Sequence, residues 1–206
     1  MKRNEGKTME IIGLTGGTGS GKSAVSMFLR KKGLYVIDAD QISHEIIKKN
    51  QPAYEEIVEE FGTEILDSDG EIIRQRLGQI VFSDPKKLSF LNRCTHKYIR
   101  MEIEETISQQ KKAEASMIII DAPLLAEAGL IEICDEVWVV CADRQVRLER
   151  TMTRDGLTYS QAEKRIFAQK SDEEYRAMAN RIILNNGGLE ELGAELDQLW
   201  NNKEGK

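Results

Sequence analysis

The stretch Gly16-Gly17-Thr18-Gly19-Ser20-Gly21-Lys22-Ser23 constrains this chain more than any other. It fits the phosphate-binding loop pattern G-x-x-x-x-G-K-[ST]. The apolar run Ile11-Ile12-Gly13-Leu14 precedes it and Ala24-Val25-Ser26-Met27-Phe28-Leu29 follows. A buried strand, a glycine loop and a helix in that order separate a working loop from a chance string of glycines.

The residue types match the chemistry. Glycine lets the backbone approach an anion closely, so successive N–H groups can point at phosphate oxygens beside the positive end of a helix. The ammonium of Lys22 would sit on the β- and γ-phosphates, and the hydroxyl of Ser23 would offer an oxygen to Mg²⁺. A flexible turn without a ligand is the bland reading, and the fixed Gly-Lys-Ser ending and both flanks speak against it.

At 206 residues the chain suits one α/β domain with insertions. No apolar run reaches the roughly 20 residues that span a bilayer, and residues 1–8 lack the apolar stretch of a signal peptide. A cytoplasmic protein without a membrane partner is expected. Residues 1–8 read as a polar leader, with Met9 as an alternative start. Cys94, Cys134 and Cys141 have neither metal nor redox spacing and read as reduced structural thiols. A net charge of −6 argues against a nucleic-acid footprint spread over the surface.

Residues 9–15 read as the first strand, and its apolar or small residues on both sides predict a central place in a sheet covered on both faces. A helix to about Lys32 is stopped by Gly33. The strand Leu34-Tyr35-Val36-Ile37 then runs into Asp38-Ala39-Asp40. Ligands of doubly wound sheets gather at the carboxyl ends of strands, so these acids belong beside the loop. Asp40 is either the N-cap of a helix from about Gln41 or a carboxylate that accepts the proton of an attacking hydroxyl, and both can hold. Met117-Ile118-Ile119-Ile120-Asp121 reads as another buried strand ending in an acid, expected to assist the Mg²⁺ site, with a turn-capping role as the alternative. Glu127 is left as structural or substrate-orienting.

Between these strands, residues 41–61 carry helical apolar spacing broken at Asn50-Gln51-Pro52, and residues 86–112 predict one long helix. On the long helix Arg93, His96 and Arg100 share one side, a credible anion site. Asp67-Ser68-Asp69-Gly70 reads as a turn, since the remaining ligand positions of a Ca²⁺ loop are missing. Val137 to Cys141 and Ile182 to Leu184 complete five strands, and residues 189–200 a closing helix; Trp138 and Trp200 read as packing residues.

Residues 144–176 hold eight basic and six acidic residues, a net of +2 in a chain of −6. Arg147, Arg150 and Arg154 recur at helical spacing before Gly156, and helical pattern resumes over 160–170. A helical lid carrying arginines over a nucleotide would exclude water and stabilise charge on a transferring phosphoryl group. The alternative is a solvated helix pair with intrahelical ion pairs through Glu149 and Glu163.

The ordered set of Gly13-Leu14-Thr15 with the loop, Val36-Ile37-Asp38-Ala39-Asp40, Leu77-Gly78, Val81-Phe82-Ser83-Asp84-Pro85, Leu91-Asn92 with His96, Asp121-Ala122-Pro123-Leu124-Leu125 and Asn185-Asn186-Gly187 resembles the dephospho-coenzyme A kinase family from about Ile11 to Trp200. The resemblance implies MgATP-dependent phosphorylation of the ribose 3′-hydroxyl of dephospho-CoA, the last step of CoA synthesis. It implies a P-loop α/β sandwich of the nucleoside-monophosphate-kinase type, in three layers with a five-stranded parallel sheet. The core would cover about 9–40, 115–143 and 177–203, a helical CoA-side region about 41–114, and an arginine-bearing lid about 144–176.

Carried over by position, Gly17, Thr18, Gly19, Ser20, Gly21, Lys22, Ser23 and Ala24 would hold ATP together with Arg154 and Arg176. Asp40 would be the base or hydroxyl-orienting residue, helped by Lys22, Arg150 and Arg154. His96, Arg100, Asp121 and Leu124 would face the substrate, and Ser23 and Asp121 the metal. The chain departs from the family pattern at Ala24, His44, Lys97, Ala126 and Asn180, mostly on the substrate side. A monomer or weak homo-oligomer is expected. Another P-loop small-molecule or nucleotide kinase is the competing reading. A nucleotide switch of the GTPase kind is remoter, because the only Asn-Lys, Asn202-Lys203, is followed by Glu204-Gly205 rather than a guanine-reading continuation.

Overall fold

The computed structural model describes residues 9–204. Five strands, β1 (Glu10–Thr15), β2 (Tyr35–Asp38), β3 (Met117–Asp121), β4 (Glu136–Cys141) and β5 (Arg181–Leu184), form a parallel sheet in the order β2-β3-β1-β4-β5. The expectation for β1 holds. It lies between β3 and β4, and Ile12 and Leu14 are wholly buried. A strand covered on both faces must be apolar on both, which is why its pattern does not alternate.

The chain divides into two compact units, residues 1–37 with 114–206, and residues 38–113. The first unit holds the sheet, α1 (Lys22–Lys31), α6 (Arg144–Asp155), α7 (Tyr159–Phe167), α8 (Asp172–Ala177) and α9 (Leu189–Glu204). Its core joins Ile12, Leu14, Trp138, Val140 and Ile183 of the sheet to Val25 and Leu29 of α1 and Leu192 and Leu196 of α9. Each such side chain contributes about 1.5–3 kcal/mol on leaving water. Trp138 is fully buried, as a packing residue should be, while its indole N–H donates to Glu136 at 2.8 Å.

The second unit comprises α2 (Ala39–Glu45), α3 (Pro52–Phe61), α4 (Arg74–Phe82) and α5 (Pro85–Lys112). The long helix α5 is its spine. Asp84 caps it, accepting from the amides of Lys86 and Lys87 at 2.8 and 3.4 Å, and Pro85 sits in the first turn where a missing N–H costs nothing. Ile99, Ile103 and Ile107 recur every four residues on its buried face, and Phe61 of α3 meets Phe90 edge-on at 5.8 Å between ring centres. The stretch around Asp67 is a turn: its carboxylate accepts from the amides of Asp69 and Glu71, both at 2.9 Å, which holds its pKa below the usual range.

Three details differ from the sequence expectation. Asp40 is not a cap. Helix α2 begins at Ala39, and Asp38 takes the cap, accepting from the Gln41 amide at 3.0 Å. The basic segment contains a third helix, α8, started by a reciprocal capping box between Ser171 and Glu174. Glu163 makes no intrahelical pair; it meets Arg144 across the α6 and α7 helices. Among the described residues no helix is long and apolar enough to cross a membrane.

The close packing of β1 has a consequence at Gly13. A Cβ there would lie 2.7 Å from a Leu125 methyl and 2.9 Å from the Cys134 sulfur. Gly13→Ala should cost about 1–3 kcal/mol, the scale of core overpacking, seen as a fall in Tm of several degrees. Adding Cys134→Ala should recover part of that loss, and strictly additive effects in thermal melts would contradict the packing account.

Candidate active site

The phosphate loop leaves the carboxyl end of β1 and runs directly into α1. Two glycines make the turn possible. Gly19 has φ 79° and Gly21 φ 92°, the left-handed region where other residues are strained. Space is equally short: a Cβ on Gly19 would lie 2.5 Å from the Arg147 carbonyl oxygen, and one on Gly21 would strike the Asn185 amide. Helix α1 starts at Lys22 without an acidic residue in its first turn, so no carboxylate of its own compensates its positive end.

Parallel pairing of β1 and β3 places Leu14 opposite Asp121. The ammonium of Lys22 consequently rests on the Asp121 carboxylate, and both side chains are largely buried, 15% and 6% exposed. Ser23, one residue on, is exposed in the first turn of α1. Among the described residues no group of three or more His, Cys, Asp or Glu side chains could hold a metal by itself. One carboxylate and one hydroxyl nevertheless fit Mg²⁺, which keeps several waters and takes its remaining ligands from phosphates.

The loop and the strand end beside it are braced from the other side, partly by residues that sequence reasoning left out of the site. Asn185, buried at the end of β5, donates to the Ser20 carbonyl at 2.8 Å. Arg150, a predicted site residue, donates to the carbonyls of Asn185 and Gly187, both at 2.8 Å, so it ties α6 to the turn after β5. Arg147 is buried, donates to the Thr18 carbonyl at 3.0 Å and pairs with Asp172 at 2.6 Å. Gln169 accepts from the Thr18 amide at 2.7 Å. The hydroxyls of Ser20 and Thr151 and the Nη2 of Arg147 are buried around this loop without a hydrogen-bond partner, polar capacity of the kind an anion site uses.

The other predicted arginines are held elsewhere. Arg154 makes two bonds of 2.8 Å to Asp155, which also receives Arg165 at 2.8 Å. These contacts hold the Asp155 pKa below, and that of Arg154 above, the usual value. Arg176 is exposed on α8. Leu124, on the stretch after β3, is 55% exposed, and Glu127 pairs with Lys170 at 2.6 Å. Cys134 and Cys94 are unbridged, and burial pushes their thiols up to about 12 and about 11, with Glu56 adding to the shift at Cys94, which disfavours the thiolate at both.

In the second unit, Asp40 lies exposed in the first turn of α2, with its backbone carbonyl accepting from the Ser43 hydroxyl at 2.7 Å. Arg93 turns along its own helix to Ser89 at 3.1 Å, and Arg100 pairs with Glu104 one turn on at 2.8 Å. Both departures from the family pattern in this unit have partners. His44 meets Arg74 at 3.0 Å, and Lys97 pairs with Glu56 at 2.7 Å. Lys97 and the Tyr98 hydroxyl together hold the Glu56 carboxyl down at about 2.

Nothing in the sequence marks Gln169, and Asn185 stands in the Asn185-Asn186-Gly187 motif without a role assigned to it. Asn185 could have been found from its place, because residues at strand ends in such sheets face the ligand side. Gln169 follows the last turn of α7 and carries no motif.

Residues 10–191 match the dephospho-CoA kinase family. A dephospho-CoA kinase of Geobacter sulfurreducens is 43% identical over 192 residues, 93% of this chain and 98% of the relative. Among solved structures, a Thermus thermophilus protein superposes with a TM-score of 0.79 at 32% identity, covering 94% of this chain and 97% of that one. The dephospho-CoA kinase of Campylobacter jejuni gives 0.71 at 27% identity, over 93% and 95%. With this coverage, and with a phosphate loop, a lysine and a strand-end acid assembled at the head of the central strands, the chain belongs to the dephospho-CoA kinase family.

Proposed function

We propose that this protein transfers the γ-phosphoryl group of ATP to the ribose 3′-hydroxyl of dephospho-CoA, giving CoA and ADP. The observation that carries the proposal is the family match across nearly the whole chain. The site chemistry agrees with it. The loop amides and the positive end of α1 suit the β- and γ-phosphates, and Lys22 has the reach and charge to follow the transferring group. Its present partner, Asp121, is exchanged for phosphate when ATP binds.

Ser23 and Asp121 are the residues that would hold Mg²⁺, Asp121 directly or through water. When bound, the ion would neutralise charge on the bridging oxygens. Asp40 aligns the attacking hydroxyl and accepts its proton. Since phosphoryl transfer proceeds through a loose transition state, alignment and charge outweigh proton removal. Arg154 and Arg176 are proposed phosphate contacts; Arg154 would leave Asp155, an exposed pair that costs little to break. Arg150 acts by holding the turn after β5, and His96, Arg100 and Leu124 are proposed for the substrate side.

Asp40→Asn should lower kcat about 10²-fold, with the KM for ATP within about threefold of wild type. Wild-type turnover in that variant would remove Asp40 from the mechanism. An ADP-release assay should show turnover with dephospho-CoA and far less with AMP, CMP, shikimate or gluconate. A better rate on one of those four would replace the proposed acceptor. EDTA should abolish the activity, and excess Mg²⁺ should restore it. Full activity in EDTA would exclude the Ser23 and Asp121 metal role.

A further inference from the structure

Both backbone polar groups of Thr18 are taken by side chains from the 144–177 segment. Its N–H donates to the Gln169 carboxamide at 2.7 Å, and its carbonyl accepts from the Arg147 Nε at 3.0 Å. Neither donor nor acceptor is loosely placed. The Arg147 guanidinium is buried and anchored at Nη1 by Asp172 at 2.6 Å. The residue after Gln169, Lys170, pairs with Glu127 at 2.6 Å, on the chain that follows β3. One dipeptide therefore grips the phosphate loop with its first residue and the β3 end with its second.

From this we infer that Gln169, with Arg147, is a positioning residue for ATP binding: it sets the Thr18 peptide and so preorganises the loop that follows. The inference rests on the loop being the ATP site. Gly17, Gly19 and Gly21 give the loop its turn but make ordering it entropically costly. Two hydrogen bonds at its leading residue, one of them from a charged group, offset part of that cost before ATP arrives. The acceptor is neutral. An amide oxygen fixes the N–H without adding a negative charge beside the phosphates, which a carboxylate at position 169 would do. Arg147 packs so tightly over Gly17 that a Cβ there would strike its guanidinium, so the clamp also shapes the near side of the loop.

The same contacts restrict what can move. With Arg147 and Gln169 on Thr18, and Arg150 on the turn after β5, the ends of the predicted lid are pinned. Between these anchors, the end of α6 carries Arg154 and α7 carries Arg165, both on Asp155.

The test compares the whole protein with Gln169→Ala and Gln169→Glu. Amide exchange at Thr18, followed by NMR on the protein without nucleotide, should speed up about tenfold in Gln169→Ala, the scale of one hydrogen bond, and stay slow in Gln169→Glu, which keeps an acceptor. The calorimetric Kd for ATP with Mg²⁺ should rise about tenfold in Gln169→Ala. At saturating ATP, kcat and the KM for dephospho-CoA should stay within about threefold of wild type, as expected when only ATP binding is disturbed. Gln169→Glu should also bind ATP more weakly, and that loss should shrink with added salt. Unchanged Thr18 exchange, or an unchanged Kd for ATP in Gln169→Ala, would overturn the role. Because exchange and ATP affinity need no acceptor, they decide this point even if dephospho-CoA proves not to be the substrate.

Discussion

The register between β1 and β3 is the constraint on which the site depends. It sets Leu14 against Asp121, and one turn later brings Lys22 onto that carboxylate. Two mostly buried charges are poor stabilisers, because the loss of hydration offsets most of their attraction. Their value here lies in exchange. Without nucleotide each compensates the other. On the proposed reading, Lys22 would turn to the ATP phosphates and Asp121 would help hold Mg²⁺, so each buried charge would exchange one partner for another. The strand pairing fixes this geometry before any ligand arrives, and a slip of one residue would turn Asp121 to the opposite face.

Much of this was legible in the chain. The unalternating apolar runs of β1, β3 and β4 declared a sheet covered on both faces, and the loop declared which strand end carries the chemistry. Asp121 was found because a buried strand ends in it. The cap of α2 was misread by two residues because Asp38 and Asp40 are chemically equal candidates; only the backbone, extended at Asp38 with φ −97° and helical by Asp40, separates them. Helix α8 was missed because its six residues are too few to show a period. The Thr18 clamp was invisible for another reason. Its partners stand 129 and 151 residues away and carry no motif, and long-range contacts of that kind follow from topology rather than from local spacing.

The arginines of the basic segment show why a count of charges says little about a site. Arg147 and Arg150 are spent on structure: one holds the loop, the other the turn after β5, and each does so through backbone carbonyls that no sequence pattern reports. Arg154 and Arg165 share one carboxylate, Asp155, on an exposed face. Exposed pairs contribute little to stability and yield readily to a stronger anion, whereas the buried Arg147 and the half-buried Arg150, bonded to backbone carbonyls, are held more firmly. Burial therefore sorts the segment into fixed and releasable cations.

That sorting agrees with where the glycines lie. Gly156, at φ 64° and with open space around it, ends α6 and joins the two helices that carry the releasable pair. Gly19 and Gly21 have no such room; each is pressed against a neighbour that locks the loop. The same residue type thus serves opposite ends. At the loop it permits a close, rigid approach to anions, and between α6 and α7 it permits a change of direction. A kinase needs both, a donor site stiff enough to align phosphates and a cover loose enough to admit them; on the proposed reading the loop glycines serve the first and Gly156 the second, within one unit.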